Sequence, residues 1–186
     1  DEAVHRMGDV LAITGRVLPV TNQDVRLEAE FHDGSRVLGE SKIFYAKKIN
    51  NSRIRKVRLV PERPAALPES VQAIRDADIV VIGPGSLYTS IMPNLCVPDI
   101  IEAIRDSKAP KIYICNVMTQ KGETDDYTVS DHVKAINKQA GDKIIDFVIA
   151  NNGDVDPAVL QRYVAHGSHP VIIDKKEIGE TGATLI

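Results

Sequence analysis

The chain has 186 residues, 43% hydrophobic, 26% charged and 4% aromatic, with a formal net charge of −3. That apolar share excludes an intrinsically disordered chain, and a domain of this length buries roughly 70% of the surface that its extended form exposes. No run approaches the roughly 20 apolar residues of a spanning helix, and the opening DEAVHRMGDV lacks the basic start and apolar middle of a signal peptide. Membrane insertion and export are therefore not expected, and a cytoplasmic location is. The two cysteines, Cys96 and Cys115, form neither a disulfide framework nor a zinc pattern.

Val4, Met7 and Leu11 recur at helical spacing with no capping residue before them but Asp1, which reads as the end of a helix in a chain that opens inside a larger fold. From residue 16 to 60 the period changes to two. Val25, Leu27, Ala29 and Phe31 alternate with polar residues, and Asp33-Gly34 turns the chain into Arg36-Val37-Leu38, which predicts a β-hairpin. A further strand is expected over 54–60. The stretch from Lys42 to Arg58 holds seven bases and no acid. It can be read as a phosphate or nucleic-acid track, or as the wet face of a strand. The alternation of bases with Ile54, Val57 and Leu59 favours the second, so no nucleic-acid partner is expected. The Pro-rich segment PERPAALPES then separates a first region, residues 1–60, from a second, residues 61–186.

The second region alternates helices and strands. Helices are expected at ESVQAIRDA, PDIIEAIRDS, VSDHVKAINKQAG and DPAVLQRYV, each followed by a strand, namely DIVVIG, KIYICNV, IIDFVIAN and PVIID. The strands are Ile- and Val-rich apolar runs, as in a parallel sheet with helices on both faces. The fold class is α/β, a parallel sheet flanked by helices and preceded by a β-hairpin region.

In such sheets ligands lie beyond the carboxyl ends of the strands, where loops converge and helix N-termini present free N–H groups. Three loops leave these ends and all are rich in glycine and neutral hydrogen-bonding side chains. In the first, Gly83, Pro84, Gly85 and Ser86 open the backbone to an anion, and Thr89 and Ser90 add hydroxyls; a plain strand-to-helix turn is the alternative. Replacement of Gly85 by Val is expected to remove ligand binding and leave the fold. In the second loop, Asn116, Thr119, Gln120 and Thr124 supply donors and acceptors, and Asn151 and Asn152 do so in the third; either asparagine could instead tie down its own loop. Thr128 and Asp131 read as a capping box. His132 reads as a surface or packing residue, with catalysis as the lesser alternative, and Asp125 and Asp126 as solvated acids that could alternatively hold magnesium beside phosphates. Tyr163, beside Arg162, could flank a base or diphosphate. The five histidines show no metal spacing, and no acid, base and nucleophile cluster appears, so no catalytic residue and no metal ligand is assigned.

The run DIVVIGPGSLYTSIMPNLCVPDI, then KIYICNVMTQKGETDDYTVSDHV and IIDFVIANNG, resembles the CofD/YvcK-like family, specifically its YvcK-type gluconeogenesis-factor branch. The segment RVLPVTNQDVRLEAEFHDGSRVLGES is similar to the same branch. The resemblance implies a Rossmann-like cytoplasmic protein that binds a nucleotide sugar such as UDP-N-acetylglucosamine and acts in cell shape, cell-wall synthesis and growth on gluconeogenic carbon sources. It places phosphate and sugar contacts on Gly83 to Ser86 and on the loop from Asn116 to Thr128. The family's GGGTG-type loop and acidic loop are not in this sequence, which matches the family's C-terminal part. The leading expectation is a regulatory protein that holds a nucleotide sugar or nucleotide diphosphate without a cofactor, with a homo-oligomer compatible with the sequence. The alternatives are a CofD-like phospholactate transferase, for which positioned phosphates and magnesium would carry the reaction, and a non-enzymatic scaffold.

Overall fold

The computed structural model describes residues 15–49 and 52–186, so the helix expected around Val4, Met7 and Leu11 lies outside the described residues. Three antiparallel strands form the first sheet, β1 (Arg26–Phe31), β2 (Arg36–Leu38) and β3 (Ile54–Val60), in the order β2-β1-β3. The turn between β1 and β2 is built as its sequence implies. Gly34 takes a φ of 85°, and Asp33 Oδ1 accepts from both the N–H and the hydroxyl of Ser35. The β1–β3 register slips between Glu30 and Phe31, which leaves Arg55 and Lys56 together on the wet side of β3.

Between β2 and β3 the chain forms a helix, α1 (Glu40–Ile49), where the basic run was expected to continue a strand. Spacing explains the difference. Ile43 and Lys47, four apart, are the buried positions, and they meet the sheet only if the backbone is helical.

The second sheet is parallel, with β4 (Val80–Ile82), β5 (Lys111–Ile114), β6 (Phe147–Ile149) and β7 (Thr184–Leu185) in that order. Its helices are α2 (Pro68–Arg75), α3 (Met92–Leu95), α4 (Pro98–Asp106), α5 (Val129–Ala140), α6 (Pro157–Val164) and α7 (Lys175–Glu180). Local signals set several of their ends. Pro98 opens α4, Asp156 Oδ1 accepts from the N–H groups of Ala158 and Val159 at α6, and Thr128 and Asp131 close the expected capping box on α5, which Gly141 ends at a φ of 72°.

The sheet ends differently from the sequence expectation. The segment 170–174, expected as the last strand, makes only isolated bridges, Met118 to Pro170 and Thr128 to Ile172. Its backbone is used elsewhere, since Val171 N–H donates to Val117 O and Val129 N–H to Ile172 O. Asp174 then accepts from the N–H and hydroxyl of Ser130, binding the segment to the start of α5 rather than to β6. The edge beside β6 is taken by Thr184–Leu185.

Helix cover on the parallel sheet is uneven. Ile82, Tyr113 and Val148 stand in register and lie buried with Ile100, Ile104, Val133 and Ile136 of α4 and α5. On the opposite face Val81 is 53% and Ile149 39% exposed, so among the described residues that face is partly open, unlike the two-sided cover that the apolar runs implied. Leu27, Phe31 and Ile54 of the antiparallel sheet belong to the same contiguous core as Leu87, Met92 and Val129.

Candidate functional site

β4 delivers the chain to Gly83, whose φ of 84° and whose distance from Ile114 both require glycine: a Cβ there would stand 3.0 Å from the Ile114 carbonyl oxygen. The turn leads into a single π-helical turn, Leu87–Ile91, rather than an α-helix. Asn116, at the end of β5, then clasps it. The Asn116 side chain donates to Gly85 O at 2.7 Å and accepts from Gly85 N–H at 3.3 Å. Further along the same loop, Gln120 Nε2 donates to Ser86 Oγ at 3.0 Å. Two of the three polar connections therefore meet at one end of the sheet.

The wall opposite comes from elsewhere than the third connection. Thr119 N–H donates to His169 O at 2.7 Å and Thr119 Oγ1 accepts from His169 N–H at 2.9 Å, which draws the turn after α6 against the second loop. Between them lies a cleft of about 1080 Å³, bordered by Gly85, Ser86, Asn116, Thr119, Gln120 and Tyr163 of the expected residues. Arg162, Lys121, Lys47 and the turn 165–168 complete it.

The remaining expected residues stand outside this cleft. Gly83, Pro84 and Ser90 border a smaller pocket with Val20 and Ile74. Thr89 Oγ1 donates to Glu123 Oε1 at 3.1 Å, and Thr124 Oγ1, buried, accepts from Gln120 N–H at 2.9 Å. Asn151 donates to Gly153 O at 2.8 Å in an exposed turn, the self-tying arrangement that asparagine also permits, and Asn152 is exposed beside it.

Lys47 and Glu123 are not among the expected residues. Glu123 has no exposed surface and accepts from Lys47 Nζ, Tyr88 N–H and Thr89 Oγ1. Gly122 makes room for this contact, because with its φ of 79° a Cβ would lie 2.7 Å from the Lys47 carbonyl oxygen. The available signal was the placement of Lys47 four residues after Ile43, on the inward side of a helix.

Charge in the cleft is one-sided. Lys121 and Arg162 line it with Lys47, whose charge is met by the buried Glu123, and no carboxylate lines it. Such a wall attracts anions, and the glycine backbone with the neutral amides and hydroxyls can hold diphosphate or sugar oxygens. The two acids that could hold magnesium do not line the cleft. Asp125 Oδ2 accepts from Gly122 N–H at 2.7 Å, Asp126 lies outside the cleft, and no group of three or more His, Cys, Asp or Glu among the described residues is placed to hold a metal. His132 is buried between Tyr113 and Tyr127, with Nδ1 2.8 Å from Thr128 O, and burial lowers its pKa from the ordinary value. Among the described residues no helix is long and apolar enough to cross a membrane.

The whole chain, residues 1–186, matches the family model described as 2-phospho-L-lactate transferase CofD. The gluconeogenesis factor of Bacillus subtilis is 46% identical over 184 residues, covering 99% of this chain and 57% of that protein. The gluconeogenesis factor of Halalkalibacterium halodurans is 45% identical over 183 residues, covering 98% and 56%. A crystal structure of a member of the UPF0052 family from Bacillus halodurans superposes with a TM-score of 0.89 at 44% identity, over 97% of this chain and 57% of that one. The chain thus spans little more than half the length of these relatives. With a family match from end to end, an α/β fold shared at that TM-score and relatives called gluconeogenesis factors, the chain belongs to the CofD family, in its YvcK-type gluconeogenesis-factor branch.

Proposed function

We propose that the cleft holds the diphosphate and sugar of a nucleotide sugar such as UDP-N-acetylglucosamine, and that the protein senses this ligand as a gluconeogenesis factor acting in cell shape and cell-wall metabolism. The observation that carries the reading is the lining itself. Gly85, Ser86, Asn116 and Gln120 face Lys121 and Arg162 across about 1080 Å³ with no acid among them. Neutral donors and cations suit retention of a diphosphate. The names of the Bacillus subtilis and Halalkalibacterium halodurans relatives support the gluconeogenesis-factor part of this reading.

A second reading, transfer of a phosphorus-containing group, is favoured by the family description alone. Thermal unfolding of the full-length protein separates the two. A ligand that binds the native state raises apparent stability, by about 2.7 kcal/mol at one hundred times its Kd. UDP-N-acetylglucosamine is expected to raise Tm without magnesium, GDP is not, and Arg162→Met is expected to abolish the rise. A magnesium-dependent shift with GDP alone would turn the assignment to the transferase.

A further inference from the structure

A second groove, of about 600 Å³, lies between β3 and α5 and shares no lining residue with the cleft. Its cations are Arg53, Arg55 and Lys56 from the β3 side and Lys134 and Lys138 from one face of α5, against the two carboxylates Asp126 and Asp131. Neighbouring acids do not neutralise this excess. Arg55, Lys56 and Arg36 all share the single carboxylate of Glu30, Arg53 donates to the uncharged Asp125 carbonyl, and Lys134 pairs with Asp131 at 3.7 Å. In a chain of net charge −3 such a local surplus is a focused positive field.

The groove also offers a directed donor. Tyr88 and Tyr127 line it, and their hydroxyl oxygens are 2.9 Å apart. Whichever phenol donates, the other keeps an O–H proton free for an acceptor. Burial and the neighbouring phenol push the Tyr88 pKa well above the ordinary phenol value, which keeps its proton on. A phosphate on the cations would leave the Gln139 amide and the Asp126 and Asp131 carboxylates for neutral hydroxyls, and the volume lies within the ordinary range for a small metabolite.

We propose that this groove is a binding site for a small hydroxylated phosphomonoester, a sugar phosphate, separate from the nucleotide cleft. Titration calorimetry on the full-length protein tests it, with glucose 6-phosphate as the probe and glucose and inorganic phosphate as controls. Glucose 6-phosphate is expected to bind, glucose not at all, and inorganic phosphate at least tenfold more weakly. K134E/K138E, both exposed on α5, is expected to weaken glucose 6-phosphate at least tenfold. Arg162→Met, in the cleft, is expected to leave it unchanged. The proposal is overturned if glucose 6-phosphate gives no heat at millimolar concentration or binds K134E/K138E as tightly as the parent. It is equally overturned if Arg162→Met weakens it as much, which would put the probe in the cleft. Inorganic phosphate binding as tightly would remove the sugar, and tighter binding of a single-stranded oligonucleotide, lost in K134E/K138E, would make the groove a nucleic-acid surface.

Discussion

Lys47 and Glu123 stand 76 positions apart and form a buried ion pair at the wall of the cleft, joining the helix of the antiparallel sheet to the loop that leaves β5. The pair is held on both sides. Glu123 also accepts from Tyr88 N–H at 3.2 Å and from Thr89, so the carboxylate fixes the π-helical turn after the glycine-serine segment as well as α1. Removing one member of such a pair leaves an uncompensated buried charge, which destabilises by about 3 kcal/mol or more. Lys47→Met is expected to lose that much in urea unfolding, and the double variant K47M/E123L to recover a good part of it. A double variant as unstable as the sum of its single changes would mean that the two residues are not coupled.

Gly122 is the second half of the same junction. A Cβ there would stand 2.6 Å from Lys47 Cβ, and the φ of 79° is unfavourable for any L side chain. Gly122→Ala is expected to lower stability by about 2 kcal/mol or more, whereas Gly141→Ala, at a similar φ of 72° but with open space around its Cβ, should lose less. Comparison of their unfolding midpoints checks this directly.

Asn116 offers a cleaner test of the cleft than Gly85. Gly85→Val, the change suggested by the loop alone, would place a Cβ 3.3 Å from Ser90 Cβ and disturb the turn itself. Asn116→Ala instead removes the two hydrogen bonds that hold Gly85 and adds no atom. It is expected to weaken UDP-N-acetylglucosamine about tenfold with a stability loss of about 1–2 kcal/mol. Full retention of affinity would detach the glycine-serine turn from the ligand.

His132 makes stability depend on pH in a defined window. Burial lowers its pKa in the folded chain below the ordinary 6.5, so the unfolded chain binds the extra proton first. The stability it contributes is fully present above about pH 6.5 and declines as the pH falls through the folded value. Asp174 titrates in a lower window. Burial works to raise its pKa, but the Ser130 hydroxyl and N–H hold it below the ordinary 3.8, so its contribution is lost only in stronger acid. Urea midpoints at pH 7.5 and 5.5 are expected to differ in the parent protein and to converge in His132→Gln. A parent midpoint independent of pH over that interval would contradict the buried neutral imidazole.

The thiols should be inert. Burial pushes Cys96 up to about 11 and Cys115 up to about 12, so neither carries appreciable thiolate at pH 8. Titration with a disulfide reagent at pH 8 is expected to find no fast thiol in the native protein and two in urea. A rapidly reacting thiol in the native state would show that one of the two sites opens.

Periodicity and local capping determined much of this protein from the primary order. The period-two run ending in Asp33-Gly34, the Pro98 start and the Thr128/Asp131 box, and the apolar Ile/Val strands were legible because each depends on neighbours within a few residues. So was the meeting of the glycine-serine turn with the Asn116 loop, since parallel strands place their carboxyl-end loops side by side. Only the tertiary structure decided that Asn151 stays in its own turn while Arg162, Lys121 and Lys47 build the opposing wall, and that residues 170–174 bind the second loop and α5 instead of the sheet. Those outcomes rest on pairings between groups some fifty to eighty positions apart, such as Thr119 with His169 and Lys47 with Glu123, and no local pattern encodes which distant partner a buried polar group will find.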